Sequence, residues 1–263
     1  MIGILSKAIP EPIKRRLRGH HNSIRGRFWD YPRELVEIQL YRLRGKGYLE
    51  WYADRLNKYA SGQSAVASGM ADRHRYFLSG DEDLEVLRDL GLKAEHDLLE
   101  IGCGFGRSAQ HYVKFLDAGK YVGGDPAAER VRQCKELLEH RGLLTKGPQL
   151  AVIPDNTFRW VGGRKFDFIW AGAVFTHVPP ADLAVIFRNA HTALKPTGQF
   201  VFTYTENERK SRRRFYSKDW DYDYAMFEDF AKNNGYVAEN ISQMMRGRGG
   251  HAVNDRLVRY RRA

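Results

Sequence analysis

The segment DLLEIGCGFGRS, residues 97–108, constrains this chain more than any other. An apolar run ends in an acid, Glu100, followed by glycines at 102, 104 and 106. Glycines this dense after a strand let the backbone turn tightly, at Gly102, and approach a ligand with no Cβ in the way, at Gly104 and Gly106. A phosphate loop requires Lys and Ser/Thr after its last glycine, and a dinucleotide fingerprint runs G-x-G-x-x-G; neither pattern is met. The carboxylate of Glu100 would repel a pyrophosphate and attract a cationic amine.

The chain around this segment alternates strand and helix. HDLLEIG reads as a buried strand and GRSAQHYVKFLDA as the helix after it. KYVGGD is a second strand, followed by the helix AAERVRQCKELLEHRG with a glycine stop. PQLAVIPD and the fully apolar FDFIWAG are further strands. The helix PADLAVIFRNAHTALKPTG ends in a Pro-containing turn that feeds the strand QFVFTYT, and WDYDYAMFEDFAKNNG reads as a last helix. YVAENISQMM and HAVNDRLVRYRR, joined by RGRGG, suggest an antiparallel hairpin. The expected fold is α/β: a doubly wound, seven-stranded, mostly parallel sheet with a C-terminal antiparallel hairpin. Residues 81–263 form that domain, and residues 1–80 form a basic, aromatic-rich, helical N-terminal extension that serves as a lid, acceptor wall or surface-binding element.

These motifs, taken in order, resemble the class I S-adenosylmethionine-dependent methyltransferases. LLEIGCGFGRS is similar to the family's first motif, which implies cofactor contacts at Glu100, Gly102, Cys103, Gly104 and Gly106. Asp125, with Pro126 after it, ends the second strand where the family places an acid on the ribose hydroxyls. A carboxylate can accept both vicinal hydrogen bonds, and an Asp-Pro pair also starts a helix. PDN resembles the segment that reads the adenine, which implies Asp155 and Asn156; a simple turn is the other reading of Asp155. FDFIWAGAVFTHVPP looks like the fourth-strand motif, implying Ala171 on the cofactor side, and ALKPTGQFVFTY resembles the LKPGG signature with Thr197 in place of a glycine.

His177 follows the fourth strand, at the sheet edge where open α/β proteins bind ligands. An imidazole there suits a general base that takes the proton of an acceptor hydroxyl; the alternative is a turn-holding residue. Arg209 and Arg212, in the cationic run RKSRRR, and Tyr204 on the preceding strand are candidate acceptor contacts, since Arg forks match phosphate or carboxylate. A solvated loop is the alternative for that run. Tyr76 and Phe77 are placed to cover the cofactor. No His/Asp/Glu cluster has metal-ligand spacing, so no metal is expected.

Charge narrows the partners. Residues 1–50 carry eleven Lys/Arg against five Asp/Glu, residues 246–263 six Arg against Asp255, and the remainder is neutral. Basic ends on a neutral domain argue against a nucleic-acid groove through the whole molecule. The reading is therefore an S-adenosylmethionine-dependent enzyme that methylates an oxygen of a small-molecule, sugar or glycolipid-type acceptor, with an anionic acceptor one option. An RNA or protein methyltransferase gripping its partner with the basic ends is an alternative, although the Asn/Asp-Pro-Pro-Tyr/Phe motif of amino-group methylators is missing. A non-catalytic cofactor-binding module is another. No apolar run reaches the length of a membrane span, no secretory signal is recognised, and Cys103 and Cys134 suit a reducing compartment. A cytoplasmic location is expected, with the basic N-terminus offering peripheral membrane contact.

Overall fold

A computed structural model describes residues 31–78, 80–206, 212–213, 220–245 and 255–263. Helices α1 (Tyr31–Leu43) and α2 (Tyr48–Ala60), the single turns α3 (Met70–Arg73) and α4 (Arg75–Leu78), and α5 (Asp81–Asp89) precede the sheet. Then come β1 (Leu98–Ile101), α6 (Ala109–Phe115), β2 (Tyr121–Asp125), α7 (Ala128–His140), β3 (Gln149–Val152) and β4 (Phe166–Ala171). The chain continues through α8 (Pro180–Ala193), β5 (Leu194–Thr205), the two-residue strands β6 (Arg212–Arg213) and β7 (Trp220–Asp221), α9 (Tyr224–Asn233), β8 (Tyr236–Asn240) and β9 (Asp255–Arg262).

Seven strands form one sheet in the order β3-β2-β1-β4-β5-β9-β8. The first five are parallel, and β9 runs antiparallel between β5 and β8. The expected seven-stranded α/β fold is therefore observed. Strand order reverses between β1 and β4, and a crevice opens beyond their carboxyl ends, as it does in doubly wound sheets.

Three local expectations are corrected. The segment Lys195–Gly198 is the start of the long strand β5, not a free turn: Phe166 pairs with Leu194 but Phe168 with Gln199, so the extra residues bulge out of register. The last helix begins only at Tyr224, because Asp223 caps it by accepting from the Met226 N–H at 2.9 Å, leaving Trp220–Asp221 to pair with Arg212–Arg213. The eighth strand stops at Asn240, whose side chain accepts from the Ser242 N–H and turns Ser242–Met245 into a 3-10 helix.

On one face, α8 buries Leu183, Ile186, Phe187 and Ala190 at helical spacing. The Phe187 ring lies 5.2–5.9 Å from Phe202, Tyr260, Phe200 and Phe227. On the other face, α5, α6 and α7 cover Leu98, Tyr121, Phe168 and Val201.

At the amino ends of the strands, Asp97 accepts from Arg164 at 2.6 Å and from Lys195 at 2.8 Å. Partial burial alone would raise the Asp97 pKa, but these two hydrogen-bonded cations outweigh it and hold the carboxyl at about 2. A depressed carboxylate stabilises the fold above its ordinary pKa and loses that contribution as pH falls toward 2. Asp97→Asn is expected to lower stability by about 1–2 kcal/mol at neutral pH, allowing for solvent screening. In urea titrations the gap from wild type should close on acidification; a gap independent of pH would contradict this role.

Candidate active site

A cavity of about 370 Å³ opens at the switch point, within the range of small-ligand sites. Its floor is the glycine turn. Gly102 has φ +80°, and a Cβ there would strike the Val174 side chain, so the first glycine lets the β1 and β4 turns close on each other. Gly104 has φ +54°, and an added Cβ would meet nothing nearer than the Gly102 carbonyl at 3.9 Å. Gly104 is thus the position where the backbone leaves open space in the cavity wall. Gly106 does not line the cavity: a Cβ there would press on the Cys134 Sγ at 3.1 Å and Leu137 at 3.2 Å, so this glycine serves the packing of the loop on α7.

Three buried acids line the space, Asp125, Glu100 and Asp83. Asp125 accepts from the Ala127 N–H at 2.9 Å with one oxygen and from the Gly104 N–H at 3.1 Å with the other, with the Arg130 guanidinium 4.0 Å away. Its burial raises its pKa, against Arg130 and the two amides. Glu100 accepts from the Tyr121 hydroxyl at 2.5 Å. Burial pushes the Glu100 carboxyl up to about 8 despite that bond, with Asp83 and Asp125 adding to the rise. The glycine at 123 belongs to the same arrangement, because a Cβ there would overlap the Tyr121 ring.

One wall carries aromatic and turn residues. Phe158 and Trp160, 6.3 Å apart, line it with Ile153, and Gly124 beneath is bare because a Cβ would strike the Trp160 ring. Asp155 and Asn156 line the same wall. Asp155 accepts from the Thr157 N–H at 2.8 Å and from the Thr157 hydroxyl, and these bonds, with Arg159 at 3.6 Å, hold its pKa low. It therefore has the turn role directly, and its place on the wall leaves an adenine contact open to it as well.

The opposite wall comes from the N-terminal helices. Leu49, Tyr52 and Leu56 of α2 line the cavity. Helix α2 is fastened to α7: Asn57 accepts from the Glu129 N–H at 2.9 Å, satisfying a free amide in the first turn of α7, and the Ala60 carbonyl accepts from Gln133 at 2.9 Å. His177 stands in the turn after β4 with its ring stacked on Tyr52, centroids 5.9 Å apart. Tyr76 lines the cavity beside Arg107, while Phe77 is buried with Ala71 and Leu137.

The structure thus brings Glu100, Gly102, Cys103, Gly104, Asp125, Pro126, Asp155, Asn156 and His177 to one cavity. Ala171 is fully buried in the core, and the wall is made instead by Gly172, Ala173 and Val174 just after it. Tyr204 is also fully buried, 4.5 Å from the Phe227 ring and donating to Glu206, and does not line the cavity. Arg209 lies outside the described residues, and of Arg212 only the strand position is described.

Sequence reasoning missed Asp83, a fully buried cavity residue that accepts from Arg107 at 2.5 Å and Ser108 at 2.7 Å and so clamps the end of the glycine turn. Nothing in the sequence sets Asp83 apart from the neighbouring acids of DEDLE, residues 81–85. Asp255, at the head of β9, was missed for a different reason, since only the strand insertion brings it to the cavity. Among the described residues no group of His, Cys, Asp or Glu could hold a metal ion.

The sequence matches the model of a family described as a methyltransferase domain over residues 70–252. The chain belongs to that family, the class I S-adenosylmethionine-dependent methyltransferases. It is 31% identical over 134 residues to a sterol 24-C-methyltransferase from Aspergillus fumigatus, covering 49% of this chain and 30% of that protein. It is 31% identical over 117 residues to a trans-aconitate 2-methyltransferase from Afipia carboxidovorans, covering 42% of each. The chain therefore spans less than half the length of these curated relatives. Its fold is shared with a magnesium protoporphyrin IX methyltransferase from Synechocystis PCC 6803 with bound S-adenosylmethionine, at TM-score 0.53 and 11% identity over 92% of this chain and 95% of that one. A glycopeptide N-methyltransferase complexed with S-adenosylhomocysteine gives TM-score 0.59 and 10% identity over 76% and 96%.

The residues present fit the family's cofactor. Buried acids suit its ammonium and ribose hydroxyls, open space at Gly104 suits close backbone approach, and the Phe158–Trp160 wall suits a planar base.

Proposed function

We propose that this chain binds S-adenosylmethionine in the cavity and directs its methyl group to an oxygen of a small-molecule acceptor of the sugar or glycolipid type. When bound, the cofactor supplies an electrophilic methyl on a sulfonium. Asp125 receives the ribose hydroxyls, Glu100 faces the cationic end, and Asp155 and Asn156 border the adenine. The acceptor enters along the α2 wall, past Leu49, Tyr52 and Val178, where apolar contact holds its body.

The observation that carries the oxygen assignment is His177, on the cavity wall after β4 with its ring stacked on Tyr52. An acceptor hydroxyl becomes a useful nucleophile as its proton leaves, and an imidazole at that wall receives it. The relatives' names include a sterol and a small acid, which supports a small acceptor. The test is methyl transfer to a panel of anionic sugars and glycolipids with wild type and His177→Ala. A loss of about 10²–10⁴-fold in kcat with cofactor affinity intact is expected. Unchanged turnover on a confirmed acceptor would reduce His177 to a structural residue.

A proton count tests the cofactor assignment independently. With its pKa near 8, Glu100 is largely protonated in the ligand-free cavity at neutral pH, and a cationic ligand favours the ionised form. Cofactor binding is then expected to release up to about one proton per site, read by calorimetry in two buffers of different ionisation enthalpy. Equal heats in both buffers would contradict it. Because an ordinary carboxyl ionises near 4.5, the ligand-free fold is expected to lose stability as pH rises from about 4.5 to about 8, with no further loss above that.

A further inference from the structure

Helix α1 carries an apolar row that stays largely or partly exposed among the described residues. Leu35, Val36, Leu40 and Leu43 are exposed by 38, 59, 46 and 84%. On a helical projection they fall within an arc of about 140°, bordered by Arg42 on one side and Arg33 on the other. The acids of α1 sit outside this arc and are engaged: Glu34 pairs with Arg55 at 2.8 Å, and Glu37 with Arg33 at 2.9 Å and with the Trp51 indole N–H at 3.3 Å. Between Glu37 and Glu50 the sequence has no acid, but it has Arg42, Arg44 and Lys46. The thirty residues that lead into α1 add seven Lys/Arg against two acids.

We infer that this face of α1 is a docking surface for an anionic lipid bilayer, lying in the interface with the apolar row among the acyl chains and the flanking cations at the headgroups. Apolar burial and attraction to anionic lipid are the two contributions that hold such helices, and both are present on one surface. Charge chooses among occupants. A second copy would bring cations against cations, whereas a negatively charged leaflet complements Arg33 and Arg42 at the two borders of the row. The placement has a functional sense: the turn after α1 leads within a few residues to Leu49 and Tyr52 of the cavity wall, so a docked molecule would hold its acceptor side close to lipid. The docking inference stands whether or not the acceptor is itself a lipid.

The test is co-sedimentation of the full chain with phosphatidylcholine vesicles and with vesicles containing roughly one-third phosphatidylserine. Wild type should bind the anionic vesicles at least tenfold more tightly, and salt should weaken that binding. The triple substitution Val36→Glu, Leu40→Glu, Leu43→Glu should reduce it by tenfold or more while the calorimetric response to S-adenosylmethionine is retained. If the triple variant loses its fold, Leu43→Glu alone, at the most exposed position, should still weaken binding several-fold. Equal binding to both vesicle types, or binding unchanged by the glutamates, would overturn the inference. A wild-type dimer in sedimentation velocity that the glutamates dissolve would assign the face to a second copy instead.

Discussion

Gly106→Ala is expected to destabilise the fold by about 2–4 kcal/mol, whereas Gly104→Ala leaves it folded and abolishes tight cofactor binding. The two glycines are two positions apart, with only Phe105 between them, and look alike in sequence. At Gly106, φ of +89° is hostile to any side chain, and the new methyl meets Cys134 and Leu137 of α7, neither of which can retreat from a packed core. At Gly104, φ of +54° lies in the left-handed region that alanine enters at about 1–2 kcal/mol, and there is room for the methyl. That room is part of the cavity, so the methyl occupies space the ligand needs. Thermal melts and calorimetric titration of both variants separate the roles. A Gly104→Ala protein that binds S-adenosylmethionine as wild type does would remove this glycine from the site.

Asp125→Ala should weaken S-adenosylmethionine and S-adenosylhomocysteine alike, by about tenfold to a hundredfold, corresponding to one or two lost charge-assisted hydrogen bonds. The same carboxylate holds the Gly104 and Ala127 amides, so the substitution also loosens the turn and the entry to α7. Asp125→Asn keeps an acceptor oxygen for one of those amides. If ribose contact matters beyond loop geometry, Asp125→Asn will bind the cofactor clearly less well than wild type while melting close to it. Cofactor affinity that simply tracks melting temperature across the two variants would mean that Asp125 acts through the loop alone.

The sheet was legible because its strands are nearly all apolar and end in turn residues, and the floor of the cavity because one contiguous motif, from Glu100 to Gly104, carries most of it. Legibility failed where the deciding partner is far away in sequence. Gly106 reads as a ligand glycine until Cys134 and Leu137 are seen against it. Ala171 and Tyr204 lie on strands that reach the site, yet they sit in the core, and strand alternation alone does not say how far a strand runs before its turn. Asp83 and Asp255 have no local pattern at all. One reaches the glycine turn through the packing of α5, and the other through the insertion of β9 between β5 and β8.

The bond from Asn57 to the Glu129 amide links two events that are usually discussed apart. Asp125 fixes the entry to α7, Asn57 fixes α2 to the first turn of that same helix, and α2 carries the Leu49 and Tyr52 wall. Whatever stiffens Asp125 therefore also sharpens the surface that an acceptor meets. Each partner would raise the other's affinity by the same factor, since such coupling is reciprocal. In an equilibrium titration this would appear as synergy, with an acceptor binding more tightly to the donor complex than to the ligand-free chain.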